Sequence, residues 1–392
     1  MIKVDHRDHK QDLYNLWQRN FRDPEEYAKF YFENVYGHNQ VLLNENEEGE
    51  LRGTIHFNPY ELILCGREVR ADYIVGVATD EEYRRQGVMR ELLKEGFHRM
   101  RDQGRVFTYL MPADENYYLP FDFRFGMNRI EQEISVIAPD QLPKPRYTYT
   151  QRLEGHQVKE VCAKENLTNI QRFAVTTKIT PEYLSLLARE SVGDLGFLYY
   201  VMDGDDYLGR FEMAEENGCM ILSRIFVSRM DHAEEFLRDI ISFAEEKYHF
   251  GYYQLILDEN FDGVCKLGAQ GGLRAMPPKM KKIIMFRILN LDKLGDYLSL
   301  CEPVEGCRIR VEDPFLTEQS GTYYFETMGD RVKIVRTQEE ADSVITIGDL
   351  TEVIFGEKRP DQVESAETLS EGAKHFLGQI EPLRKNCIME IV

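Results

Sequence analysis

Val75-Gly76-Val77-Ala78-Thr79-Asp80-Glu81-Glu82-Tyr83-Arg84-Arg85-Gln86-Gly87-Val88-Met89-Arg90 is the stretch that decides the reading of this chain. Its β-branched start continues a strand over Tyr73–Thr79. A polar turn follows, and Val88, Leu92, Leu93, Phe97 and Met100 then recur on one face of a helix that runs from Val88 to about Asp102. A turn of this kind offers successive backbone N–H groups at a helix N-terminus, where free amides and the helix dipole together bind a pyrophosphate. Gly87 lets the backbone approach such a ligand, and Arg84 and Arg85 bring positive charge. The plainer alternative is an ordinary strand-to-helix turn with surface arginines.

Outward from this motif the chain divides into three segments. Before it, residues 8–20 and 23–36 have helical spacing, and strands are expected at Gln40–Asn44, Leu51–Phe57, Tyr60–Leu64 and Glu68–Ala71, with a hairpin at Cys65-Gly66. After it, Arg105–Met111 and Phe123–Ile137 complete the unit. Pro139, Pro143 and Pro145 mark a linker.

The second segment repeats the logic. A strand over Cys219–Ser228, a helix over Ala233–Glu246 and a strand over Tyr252–Leu257 answer the strand–helix–strand unit of the first. Asp114-Glu115-Asn116 and Asp258-Glu259-Asn260 close the two copies alike. From strand end to first core helix residue is 13 positions in the first copy (Thr79 to Leu92) and 8 in the second (Ser228 to Phe236), so the phosphate loop is missing from the second. The third segment holds short strands at Tyr297–Leu300, Cys307–Val311, Gly321–Glu326, Val332–Val335 and Ser343–Ile347. A helix follows with Asp349 as its N-cap, and the tail Ile388–Val392 is apolar.

Composition narrows the function classes. A net charge of −20 opposes binding to phosphate backbones, so no nucleic-acid partner is expected, and it suits cationic small molecules or peptides. No signal peptide and no apolar run long enough to span a membrane is read, so no membrane partner is expected. The seven cysteines are scattered without a CxxC and read as reduced thiols, which places the protein in the cytoplasm. The nine histidines form no ligand motif; His6 and His9 read as a solvated face, and no metal site is expected.

The segment Arg84-Arg85-Gln86-Gly87-Val88-Met89 resembles motif A of the GNAT acetyltransferases, Arg/Gln-x-x-Gly-x-Gly/Ala, departing from it at Met89. Over its full length the chain resembles the enhanced intracellular survival (Eis) family. Val344-Ile-Thr-Ile-Gly-Asp-Leu350 and Ile354-Phe355-Gly356 look like that family's sterol-carrier-protein-like domain. The resemblance implies an α+β fold with tandem GNAT-like domains, each a mixed sheet with flanking helices. The catalytic one is expected over residues 1–145, a degenerate one over 146–287 and a sterol-carrier-protein-like domain over 288–392. It implies acetyl-CoA as donor, with Val77 and Thr79 meeting the pantetheine arm and Arg84, Arg85 and Gly87 at the pyrophosphate. It implies acetylation of primary amines, aminoglycosides among them, and a homo-oligomer, possibly a hexamer.

For catalysis the family pattern Tyr-x-x-x-Gly-Phe, aligned on Gly126, puts Asp122 where its Tyr belongs. Tyr118, four residues earlier, is the nearest phenol, and a phenol of pKa about 10 can protonate a leaving thiolate. Tyr117 and Tyr118 read equally as core aromatics. The resemblance assigns the base to the carboxylate of Val392, although an α-carboxyl of pKa about 3.3–3.7 is a poor base unless desolvated. Asp23, Glu25, Glu26 and Glu33 among Tyr27, Phe30, Tyr31, Phe32 and Tyr36 could receive a polyamine or could simply form an amphipathic helix with a solvated face. A lysine-peptide acetyltransferase and a non-enzymatic ligand-binding scaffold are the competing functions.

Overall fold

The chain starts with a short strand, β1 (Ile2–Val4), and two helices, α1 (Lys10–Asn20) and α2 (Glu25–Asn34). β2 (Gln40–Glu45), β3 (Leu51–Leu64) and β4 (Arg67–Thr79) follow. The computed structural model describes residues 1–261, 267–268 and 271–390. Leu13, Trp17, Tyr27, Phe30, Tyr31 and Phe32 of the two helices cluster with Val41 and Leu43 of β2. β3 and β4 are one long hairpin, paired from Gly53↔Thr79 to Leu64↔Arg67. Its turn, Cys65-Gly66, has positive φ at both residues (48° and 75°), as a two-residue hairpin turn requires. Sequence patterning splits this hairpin into shorter strands because Asn58 and Asp72 interrupt the apolar runs. Both polar residues are nonetheless buried within the ladder, and Arg105 neutralises Asp72 at 2.7 Å.

α3 (Val88–Asp102) crosses over to β5 (Phe107–Leu110), and β6 (Arg124–Val136) completes the first unit. The α3 face formed by Val88, Leu92, Leu93, Phe97 and Met100 is buried, while Arg99 and Arg101 in the last turn complement the dipole. The second unit holds β7 (Thr148–Thr150), α4 (Gly155–Arg172), β8 (Val175–Thr177), α5 (Pro181–Gly193), β9 (Gly196–Asp203), β10 (Asp206–Glu216), β11 (Cys219–Val227), α6 (Ala233–Tyr248), β12 (Tyr252–Asp258), β13 (Leu273–Ala275) and β14 (Lys279–Ile288). One fourteen-stranded sheet runs through both units in the order β1-β2-β3-β4-β5-β14-β6-β12-β11-β10-β9-β7, with β8 beside β3 and β13 beside β6. The boundary expected at residue 145 therefore does not divide the sheet, because β14 lies between β5 and β6.

The last unit has α7 (Leu291–Gly295), β15 (Cys307–Glu312), β16 (Gly321–Met328), β17 (Arg331–Thr337), β18 (Ser343–Thr346), α8 (Ile347–Phe355) and α9 (Glu371–Gln379), with a separate sheet ordered β17-β16-β15-β18. The strand expected at Tyr297–Leu300 is reduced to isolated bridges at Ser299 and Leu300. The N-cap of α8 is Thr346 rather than Asp349: its hydroxyl accepts the Asp349 N–H at 3.1 Å, which leaves Asp349 in the first turn. The whole is α+β, with mixed sheets flanked by helices.

Arg287 of β14 joins the units. It is fully buried, donates to the Phe121 carbonyl at 2.8 Å and to Asp313 at 2.7 Å, and lies 4.3 Å over the Phe97 ring. Phe355 of α8 stacks on Phe286 next to it at 4.7 Å. Replacing Arg287 by alanine strands the Asp313 carboxylate in the interior, so denaturant unfolding should show a loss of about 3–5 kcal/mol. A loss under 1 kcal/mol would mean that the pair is not what fastens the third unit.

Candidate active site

β4 and β5 are parallel neighbours only through Asp72↔Thr108 and Tyr73↔Tyr109. Beyond that pair the strands part. The separation begins at a bulge: the β3–β4 register shifts opposite His56, and Gly76 takes φ +61°. A Cβ there would meet the Trp17 ring at 2.7 Å and His56 at 3.2 Å, so glycine is required by both conformation and space. Val75, Val77 and Thr79 are half-buried along this free edge, which can pair with an extended, amide-bearing ligand as another strand would. Val77 and Thr79, expected to meet the pantetheine arm, both lie on this edge.

The loop after Thr79 is held from two sides. Asp80 pairs with Arg19 of α1 at 2.8 Å and caps a 3-10 turn over Glu81–Tyr83. Tyr83 donates to Glu50 at 3.0 Å and lies under Arg52. Arg85 (φ +61°) and Gly87 (φ +84°) both have left-handed backbone, a conformation that turns successive N–H groups into an anion-binding nest at the start of α3. The space beside the Gly87 Cα is open. Arg84 is drawn back to the Thr79 carbonyl at 3.4 Å and to Asn20 at 3.1 Å. Arg84, Arg85 and Gly87 are exposed, and of the two arginines Arg85 is the one not tied back to the fold by a described contact.

Tyr118 sits between two 3-10 turns, Glu115–Tyr117 and Leu119–Phe121, and packs edge-on against Phe123 at 5.9 Å. Burial pushes its phenol up to about 12, so it remains a proton donor through the neutral range. Tyr117 is 59% exposed. Asp122, at the family's Tyr position, is turned away from the fork: its carboxylate lies against Gly348 and Arg124 at the start of α8, in left-handed backbone (φ +64°). Burial raises it to about 6 in spite of Arg287. It belongs to the contact with the third unit.

Residues 385–390 thread between the first two units. Cys387 exchanges backbone hydrogen bonds with Val175 and Thr177, and the Asn386 side chain reaches the Val175 N–H at 3.0 Å. Ile388, Met389 and Glu390 are buried, and Glu390 accepts a hydrogen bond from the Thr177 hydroxyl at 3.0 Å. Val392 lies outside the described residues, so the carboxylate expected to serve as base has no described position. Cys265 lies outside them too, and the six described cysteines are free thiols.

Tyr27, Tyr60, Tyr73, Tyr109 and Tyr183 lie within electrostatic reach of one another and of Glu190 or Glu390. Burial raises the phenols of Tyr27, Tyr60, Tyr109 and Tyr183, and Glu390 is the carboxylate that acts most on Tyr60, Tyr109 and Tyr183. Burial also raises Glu190, and it lifts Asp194 to about 7 against the pull of Arg224. Of the acidic α2 group named from the sequence, Glu25, Glu26 and Glu33 are solvated and Phe30, Tyr31, Phe32 and Tyr36 are core. Asp23 faces Asp194 and accepts the Trp17 indole N–H at 2.8 Å. Beneath the bulge His56 is fully buried beside Tyr31 (3.0 Å), and burial pushes its imidazole down to about 3, so it stays neutral. His9 pairs with Asp5 at 3.2 Å. No cluster among the described residues could hold a metal ion, and no described helix is long and apolar enough to cross a membrane.

The second copy has its own fork. β11 and β12 pair in parallel from Met220↔Tyr253 to Leu222↔Leu255, and Arg224 then takes φ +48°. Here the bulged residue is an arginine, buried between Glu190 (3.2 Å) and Glu212 (3.1 Å), and the loop to α6 is a single 3-10 turn over Met230–His232. Both copies end alike, with Asp114 and Asp258 accepting the N–H two residues on at 2.9 and 2.8 Å.

Gly76, Thr177, Tyr60, Tyr183, Glu190 and Glu390 escaped the sequence reading. Gly76 within a β-branched strand was a bulge signal. A single acid in the apolar run Cys387–Val392 marked Glu390. The clustered tyrosines carried no local signal, because they come from strands and helices far apart in sequence.

Residues 2–126 match the acetyltransferase (GNAT) domain, and residues 296–385 match the sterol carrier protein domain. No curated protein matches the chain. Among solved structures it is similar to a conserved protein of Enterococcus faecalis V583, a probable N-acyltransferase (TM-score 0.79, 16% identity, 99% of each chain covered). A GCN5-related N-acetyltransferase of Anabaena variabilis is also similar (TM-score 0.75, 15% identity, 99% of each chain). So is Eis1 of Mycobacterium abscessus (TM-score 0.68, 14% identity, 99% of this chain and 100% of that one). The chain thus carries a GNAT acetyltransferase domain over residues 2–126 and is an N-acetyltransferase with acetyl-CoA as its acetyl donor.

Gly87→Val should cost about 1–3 kcal/mol of backbone strain and fill the open space beside the nest. Acetyl-CoA binding measured by calorimetry should weaken at least tenfold. Gly218→Val, with φ +78° and equally open surroundings in the β10–β11 turn, is strained alike and should bind acetyl-CoA normally. Equal loss in both variants would remove the pyrophosphate from this loop.

Proposed function

We propose that the chain transfers the acetyl group of acetyl-CoA directly to a primary amine of a small polycationic acceptor, aminoglycosides among them, in a ternary complex of the Eis type. The observation that carries this reading is a cluster of buried phenols and carboxylates beside the rung at which β4 and β5 part. Asp23, Asp194 and Glu390 belong to it, whereas Glu190 is already paired with Arg224 at 3.2 Å. A cationic acceptor supplies the counter-charge that keeps raised carboxylates ionised, and phenol rings suit ammonium groups. The whole-length likeness to Eis1 supports the same reading.

The pantetheine arm would lie along Val75–Thr79, with Val77 and Thr79 as backbone partners and the pyrophosphate over Arg84, Arg85 and Gly87. Tyr118 would protonate the departing thiolate. Proton removal from the amine falls to the C-terminal segment, which includes the Val392 carboxylate. Assembly as a homo-oligomer, to be checked by light scattering, is part of the same reading.

Thiol release from acetyl-CoA should be stimulated by kanamycin or spermidine more than by a lysine peptide; stimulation by the peptide alone would move the acceptor to the peptide class. Tyr118→Phe should lower kcat by about 10²-fold or more with KM for acetyl-CoA unchanged. Arg85→Ala should raise KM for acetyl-CoA with kcat little changed, since a phosphate contact is made equally in ground and transition states. A Tyr118→Phe enzyme with full kcat would leave the thiolate to be protonated by solvent.

A further inference from the structure

We infer that Glu390 is the general base of the transferase, accepting the proton of the acceptor ammonium at its Oε1 atom. This rests on the amine-acceptor reading above. Glu390 is 4% exposed, and its Oε2 is fixed by the Thr177 hydroxyl at 3.0 Å. Its Oε1 is buried and makes no close hydrogen bond among the described residues, with the Tyr183 phenol near enough to favour the charged form. Thr177 is paired through β8 to Leu62 of β3, and Tyr109, on which Glu390 acts more than any other charge, forms the last rung before β4 and β5 part. A buried carboxylate oxygen thus lies within electrostatic reach of the last β4–β5 rung, on a segment clamped by backbone bonds to β8.

The groups facing it are Tyr183 and Glu190 of α5, Tyr60 of β3, Tyr109 of β5, Thr177 of β8 and Cys387 of its own segment, with Arg210 and Arg224 farther off. Arg210 is engaged with Glu165 at 3.0 Å, and Arg224 with Glu190 and Glu212, so neither neutralises Glu390. Burial lifts the carboxyl to about 7, against the opposing pull of Thr177 and Tyr183, and that value suits a base working near neutrality. An unperturbed carboxylate would be too weak.

The step balances as follows. The ammonium gives one proton to Glu390, and the nitrogen lone pair forms the N–C bond while the carbonyl pair moves to oxygen. Return of that pair breaks the C–S bond. The thiolate takes a proton from Tyr118, which is restored by the second nitrogen proton. The products are the acetamide, the free thiol and one proton passed from Glu390 to solvent.

The test is the pH dependence of kcat/KM from pH 5.5 to 9, with kanamycin and spermidine as probe amines. Wild type should rise through a limb near 7 as Glu390 ionises. Glu390→Gln should keep acetyl-CoA binding, lose 10²- to 10⁴-fold in kcat and lose that limb. Because a carboxyl with a raised folded-state value destabilises the fold as pH climbs from its unfolded value toward and past 7, the glutamine variant should gain in Tm over wild type as pH rises. Thr177→Val leaves the carboxylate in place but removes a bond to its charged form, so the limb should move upward; this arm decides the matter if Glu390→Gln does not fold. Asp194, also raised to about 7, would give a limb that ignores both changes. A limb unmoved by both variants overturns the inference. So does a Glu390→Gln enzyme within threefold of wild type, or loss of the limb only in a form extended beyond Val392. A wild type that turns over neither amine sinks the amine-acceptor reading and the base with it, whereas turnover with an unaltered limb sinks the base alone.

Discussion

The insertion of β14 between β5 and β6 is the pairing on which the rest of the molecule depends. It satisfies one whole edge of β5, from Phe107↔Ile288 to Leu110↔Met285, so β5 keeps its place while its other edge leaves β4. Without that anchor a four-residue strand with two rungs to β4 would have too few ladder bonds to hold a split sheet open. The same strand carries Arg287 and Phe286, which bind the third unit to the back of the first. The donor fork, the merging of two units into one sheet and the seat of the last unit thus follow from a single strand.

The opening that results is managed electrostatically. A sheet edge free of its partner would normally be filled by side chains. Here Gly76 adds none, and the surrounding phenols and carboxylates cluster where burial disfavours their charged forms. Raised carboxyls are costly there, and an ammonium placed among them would lessen that cost. The second copy shows the opposite solution: with Arg224 at its bulge, Glu190 and Glu212 find their counter-ion inside the protein, and no phosphate loop stands over that fork.

Local patterns made much of this visible in the sequence. The helix Val88–Asp102, the Cys65-Gly66 turn and the paired Asp-Glu-Asn endings are set by residues within a few positions of one another, and the structure has them where the sequence puts them. The nest at Arg85 and Gly87 was legible for the same reason. The reading failed where distant segments meet. Asn58 and Asp72 looked like strand breaks because their partners lie outside the segment. Asp122 looked like a defect in a catalytic motif, whereas it faces α8. Glu390 looked like one more acid in a strongly acidic chain until β8 and the tail were seen to pair.

That pairing also has a cost in time. Thr177 and Glu390 are 213 residues apart, so the floor of the fork closes through some of the longest-range contacts in the chain. Contacts of this kind form late, because the ordering of a long loop precedes any gain from closing it. On the ribosome the loop at Arg85 and Gly87 can mature while later segments are still being made, but β8 must wait with an edge partly uncovered until residues 385–390 emerge. A nascent or clipped chain would therefore present an exposed strand edge beside a nearly finished donor site, the kind of surface that chaperones and proteases act on.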